Sequence, residues 1–324
     1  MPPQKNNSGP YPPLELNRHK IGGNMAQGPR ICFDRIIPSN YHPSGAVAHA
    51  SALSNYTLAV RNKAVQKKLP KMSKAVPSNV SFNQNVAAIG KLGTLSATDP
   101  VQVARMALIN LKKWDNGYCL RCRFLDGDDF QKGKVQEKAQ IWQESANISI
   151  AFVDDADAEV RISFQADSGS WSALGSDCLV KSYYPDYQPT MNFGWLADDT
   201  ADEEYERVVV HEFGHALGCI HEHQSPNETL QWNTDAVYET FSGPPNYWSK
   251  DDIDHNILEK YSPEGISATR FDPDSIMLYQ FDGSLFVDGQ GTPSNTHLSD
   301  QDKQMIGQMY PKAVDTSTMI AQSA

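Results

Sequence analysis

Cysteine is scarce in these 324 residues, positive charge is in deficit, and no apolar run is long. Each shortage excludes something. The five thiols (Cys32, Cys119, Cys122, Cys178 and Cys219) are too few and too scattered for a disulfide framework, and an odd count leaves one unpaired. A formal net charge of −11 argues against a nucleic-acid partner, because phosphate recognition needs a basic surface. No stretch approaches the roughly twenty apolar residues that cross a bilayer, so no membrane span is expected. The opening MPPQKNNSGPYPPLELNRHK has no apolar core and reads as no signal peptide. Internal repeats are missing too, which excludes a solenoid. What remains is an ordinary globular balance, with 40% hydrophobic and 21% charged residues, and a length with room for one large domain or a domain plus an extra segment.

The first thirty or so residues are rich in Pro, Asn, Gly and Ser and are expected to be loosely attached. ICFDRIIP suits a short strand and AVAHASAL a helix. The expected organisation is an N-terminal segment over 1–97, partly disordered, a main domain over 98–312, and a flexible tail over 313–324. Asp99-Pro100 starts a helix carrying Val101, Ala104, Leu108 and Leu111. After Asn116-Gly117 comes the strand YCLRCRFL, in which Leu120, Cys122 and Phe124 share one face. Cys119 and Cys122, three apart, then point to opposite faces and cannot chelate together. A second helix has Val135, Ala139, Trp142 and Ala146 on one side, followed by strands ISIAFV and EVRISF around the acidic turn DDADA. Helix, strand, helix, strand, strand is an α+β layout.

The chemistry concentrates in HEFGHALGCIHEH, residues 211–223. Thr200 and Glu203 have capping-box spacing ahead of a helix that runs through it. His211 and His215 then lie one turn apart on one face and can reach one ion, with Glu212 beside the first of them. Gly218 can adopt positive φ and swing the chain back, so that His221 approaches from a third direction. Three neutral imidazoles and one open position describe a catalytic zinc site, whereas calcium and magnesium prefer oxygen.

His211-Glu212-x-x-His215-x-x-Gly218-x-x-His221 resembles the signature of the metzincin metallopeptidases, and the following Glu222 and His223 resemble the astacin group, whose bacterial and fungal members the chain is similar to over most of 110–311. DPDSIMLY resembles that family's Met-turn, with Met277 as the turn methionine. The resemblance implies an α+β metzincin-type zincin: a mixed, mostly parallel sheet, an active-site helix and a small C-terminal subdomain holding the Met-turn. It implies one catalytic zinc on His211, His215 and His221, Glu212 as general base, Tyr279 as oxyanion donor, and a peptide substrate lying antiparallel along the SGSWSALG edge, with Trp171 either lining that cleft or packing in the core. Ser170 stands where animal astacins have a cysteine, and Leu278 where a histidine is common.

The resemblance makes 98–312 the zinc metallopeptidase catalytic domain and leaves 1–97 open to reading as a pro-region. Glu222 has two readings: a pair with a new N-terminus after prosegment removal, or a bond within the fold. Latency would need a group that blocks zinc, for which Cys32 or Asp34 is a candidate. His223 is expected outside the ligand sphere. The leading function is a zinc metalloendopeptidase, expected to be monomeric, acting on proteins or peptides. The alternatives are serralysin-like cleavage, which the missing glycine-rich repeats disfavour, an inactive zinc-binding interaction module of the same fold, which intact Glu212 disfavours, and a closed structural zinc site using Cys219. The resemblance suggests secretion, while the N-terminus shows no export signal.

Overall fold

Alternation in YCLRCRFL becomes a strand inside a sheet, one place from its edge. The computed structural model describes residues 33–35 and 112–312, apart from 167, 244–245 and 262–269. Among these, six strands form one sheet: β1 (Phe33–Arg35), β2 (Cys119–Phe124), β3 (Ser149–Phe152), β4 (Val160–Ser163), β5 (Ser170–Ala173) and β6 (Met191–Phe193), in the order β1-β5-β6-β4-β2-β3. Every pairing is parallel except β5 with β6. Leu120 and Cys122 are fully buried and Phe124 packs beside them, as the alternation requires. Cys119 and Cys122 are free thiols. Strands β4 and β5 are buried along their whole length, the usual state of a strand covered on both faces. Trp171 on β5 is 2% exposed and belongs to the core rather than to an open cleft. Arg121 and Glu159, which begin as polar positions of neighbouring strand segments, form an ion pair at 2.6 Å, joined by Asp155 and Asp157 of the DDADA turn.

Two helices cover the sheet. Helix α1 (Asp129–Ala139) is closed at its start by an Asp128–Gln131 capping box and continues as a 3₁₀ turn over Gln140–Glu144. Val135, Ala139, Trp142 and Ala146 are all buried, as their spacing predicts. Helix α2 (Asp202–Ala216) packs against α1, and Lys138 bridges the two through Asp202 at 2.7 Å and Glu206 at 3.1 Å. Thr200 does not cap it. Its hydroxyl accepts from Ala197 N in the preceding turn, and the helix begins two residues later, with Asp202, Glu203 and Glu204 set against the positive end of its dipole. Long-range bonds then fix α2 in place: Trp142 Nε1 donates to Val210 O at 2.8 Å, Trp114 Nε1 to Ala216 O at 2.8 Å, and Tyr310 Oη to Leu217 O at 2.7 Å.

The C-terminal part adds α3 (Thr234–Ser242), α4 (Lys250–Ile253), which runs into a π turn over Asp254–Leu258, and α5 (Asp300–Met309), capped by the Ser299–Asp302 box that the sequence predicts. Helices α3 and α4 and the turns around 279–286 have their own apolar cluster of Val237, Phe241, Ile253, Ile257, Tyr279, Phe281, Leu285 and Phe286, whereas α5 packs through Ile306 into the main core. That cluster marks the small C-terminal subdomain, and Trp195 packs against both it and the main core. No helix among the described residues is long and apolar enough to cross a membrane. The helix expected from Val101, the AVAHASAL segment, Cys32 and the 313–324 tail lie outside the described residues.

Candidate metal centre

His211 and His215 project from the last two turns of α2, and both are buried. His211 Nδ1 lies 2.8 Å from Ile276 O, and His215 Nδ1 lies 2.8 Å from Cys219 O. A carbonyl can only accept, so both rings carry their proton on Nδ1 and leave Nε2 as a lone pair. Gly218, at φ +100, then reverses the chain, with Cys219 N closing on Gly214 O at 2.9 Å. The reversal delivers His221 to the same point. His215 Nε2 is 3.1 Å from His211 Nε2 and 3.0 Å from His221 Nε2.

Three Nε2 atoms at that spacing repel one another unless a cation lies between them. A tetrahedral zinc with nitrogens at about 2.0–2.1 Å would separate them by roughly 3.3 Å, close to what is found. Burial, followed by the charge of His215, pushes His211 and His221 well below the usual histidine range, which keeps them neutral donors. Among the described residues this trio is the one group of ligand side chains close enough to share an ion. Cys219 contributes its carbonyl, not its sulfur, and burial pushes its thiol upward.

The other expected residues gather around the trio. Glu212 is fully buried on α2 beside His211. Tyr279 lies with its ring centroid 4.2 Å from that of His221 and 5.4 Å from that of His211. Met277 is buried beneath, against Gly214, where an added Cβ would fall 2.5 Å from its Sδ. The turn itself hangs on Asp302 of α5, which accepts from Ser275 Oγ at 2.7 Å and Ile276 N at 2.8 Å. Glu222 bonds within the fold: its Oε1 accepts from Asp272 N at 2.9 Å, and burial raises its carboxyl to about 7. His223 stacks on His221 at 5.1 Å, and its Nε2 reaches Asn256 O at 3.0 Å, outside the ligand trio. Asp302 and the carbonyls of Ile276 and Cys219 were not among the expected functional groups. Backbone acceptors leave no mark in side-chain spacing.

A matrixin family model, one of the peptidase families, matches residues 125–254. Among solved structures, one of myroilysin is 40% identical over 63% of this chain and 97% of its own, with a TM-score of 0.60. A second, a crystal structure of myroilysin, is 40% identical over 62% of this chain and 86% of its own, with a TM-score of 0.50. The chain belongs to the metzincin metallopeptidases. No curated protein matches it significantly. As a metzincin it is a zinc-dependent peptidase acting on peptide substrates, and His211, His215 and His221 are the residues whose donor set suits that ion.

Proposed function

We propose that this metzincin is an astacin-like endopeptidase in which His211, His215 and His221 hold the zinc, Glu212 is the general base and Tyr279 stabilises the oxyanion. The convergence of the three Nε2 atoms, with Glu212 next to His211 on the same helix and the Tyr279 ring against His221, carries the reading. Zinc bound there would lower the pKa of its water to about 7. Glu212 would take a proton from that water and hand it to the leaving amine. Tyr279 donates its hydroxyl proton toward the developing oxyanion. The astacin-like assignment draws on Glu222, His223 and the Met277–Tyr279 spacing. The matrixin match ends at residue 254, before the last of these.

An extended peptide would add to the outer edge of β5. That edge pairs in parallel with β1, with Phe33 opposite Trp171 and Arg35 opposite Ala173. This supports reading 1–97 as a pro-region that occupies the substrate's place until removed. The test compares the zinc-loaded full chain, the chain from residue 98, and Glu212→Ala in each, against an unfolded protein mixture with new termini read by mass spectrometry. The trimmed parent should cut, the full chain should cut little, and Glu212→Ala should lose roughly 10²–10⁴ in rate. Cuts that survive Glu212→Ala sink the base assignment. Equal cutting by full and trimmed chains sinks the pro-region.

A further inference from the structure

Each imidazole of the trio has an Nδ1 partner, but one of the three partners differs in kind. His211 and His215 use backbone carbonyls, whereas His221 Nδ1 faces a side chain, Gln224 Oε1, at 3.4 Å. Gln224 is 4% exposed, and its other end is held firmly. Its Nε2 donates to His255 O at 2.7 Å and to Glu259 O at 3.3 Å. Both of those groups can only accept, so the amide cannot flip without setting oxygen against oxygen. Oε1 is therefore fixed as the acceptor, and the proton on His221 must sit on Nδ1, leaving Nε2 as the lone pair that meets the other two.

The carbonyls come from the π turn and from Glu259, the residue that ends it. Over Asp254–Leu258 the chain widens to an i to i−5 bond, with Glu259 N on Asp254 O at 2.7 Å, and then turns extended at Glu259. A helix end leaves its last carbonyls without partners inside the helix. Here His255 O receives Gln224, Asn256 O receives His223, and Tyr261 N returns a bond to Gln224 O at 2.9 Å. The chain just after the third histidine is thus clamped to one turn of the C-terminal subdomain.

We propose that Gln224 is a positioning residue of the zinc centre, setting the tautomer and orientation of His221 through a carboxamide that the π turn of 254–258 holds in one sense. The proposal rests on the reading that the three histidines bind zinc. Removing the partner of a metal-bound histidine commonly costs about 10–100-fold in metal affinity.

The experiment measures zinc affinity by chelator competition, together with thermal unfolding of the metal-free protein, for the full chain and for Gln224→Met, Gln224→Glu and His221→Ala. Methionine has similar bulk but no acceptor, and should weaken zinc by about 10–100-fold. Glutamate loses the same donors to the π turn yet keeps an oxygen for His221, so it should share methionine's loss of thermal stability while holding zinc within about 3-fold of the parent. A merely structural glutamine would lower the unfolding temperature in both and leave zinc affinity unmoved in both. That result overturns the proposal, as does equal zinc loss in the two. If Gln224→Met does not fold, the His221 Nδ1–H resonance of zinc-loaded Gln224→Glu decides. A downfield shift against the stronger carboxylate acceptor supports the proposal, and an unchanged resonance overturns it. A parent that takes up no zinc fails the site reading itself. Binding lost in His221→Ala but kept in Gln224→Met fails this inference alone.

Discussion

Glu222 follows His221 directly, yet its carboxylate is engaged by Asp272 N, in a pocket that also contains Asp302. Burial first, then those two acids, raise it to about 7 against an ordinary 4.5. The unfolded chain therefore releases this proton near pH 4.5, while the folded protein holds it until about 7. Between those values the folded state binds more protons, so stability from this group is full below about 4.5 and falls as pH rises to about 7. Glu222→Gln keeps an oxygen for Asp272 N and removes the titration. Relative to the parent it should be nearly neutral at pH 4.5 and more stable by on the order of 1–3 kcal/mol at pH 8. Denaturant unfolding of both proteins at the two pH values checks this, and any zinc release common to both cancels in the difference. A gain that is the same at both pH values would place the effect in packing instead. Such residue-level roles were only partly legible in the sequence. His211, His215 and His221 announce themselves by spacing, but Gln224 does not, because its meaning depends on carbonyls at 255 and 259 that are remote along the chain.

Helix α2 contains a glycine that helix propensity alone would replace. Alanine gains about 1 kcal/mol over glycine in a helix interior. At Gly214, however, the new Cβ would sit 2.5 Å from Met277 Sδ and 3.0 Å from Trp142 Cζ2. Methionine can bend away, but Trp142 is fully buried and tied by its Nε1 to Val210 O. Overpacking of this kind costs about 1–3 kcal/mol, so Gly214→Ala should be net destabilising by up to about 2 kcal/mol and should weaken zinc binding by shifting the Met-turn. Gly133 in α1 is exposed with nothing within 4 Å of an added Cβ, so Gly133→Ala should stabilise by about 0.5–1 kcal/mol. Opposite signs in thermal melts of the two variants test the packing argument, and a stabilised Gly214→Ala would refute it. The contrast shows what patterning can reach. The 3.6 and 2 periods place α1, β2, β3 and β4, whose apolar residues lie close in sequence. They miss the start of α2, because Thr200 is drawn off by Ala197 N, and they leave Trp171 undecided because the layer that covers β5 comes from elsewhere in the chain.

At the scale of the whole molecule the trio stands where the two apolar clusters meet, beside parts that Trp195 already packs together. His211 and His215 stand on α2 in the main core, while Tyr279 belongs to the C-terminal apolar cluster. Their supports extend further: Ile276 O is fixed through Asp302 of α5, and His221 leads through Gln224 to the π turn. A ligand that binds only the folded state stabilises it by mass action, about 4 kcal/mol at a thousandfold excess over its dissociation constant. For a domain of about two hundred residues each kcal/mol shifts the melting temperature by about 2–4 °C, so chelation should lower it by roughly 8–16 °C. Zinc should restore it, whereas calcium and magnesium should not, since three neutral nitrogens are poor ligands for hard cations. His211→Ala should melt at the chelated temperature whether or not chelator is present. The shift should also survive mild acid. Burial holds His211 and His221 well below the usual range, so they keep their lone pairs at pH values where exposed histidines are already protonated. A melting temperature indifferent to chelator across that range would mean the three nitrogens converge for some reason other than a metal.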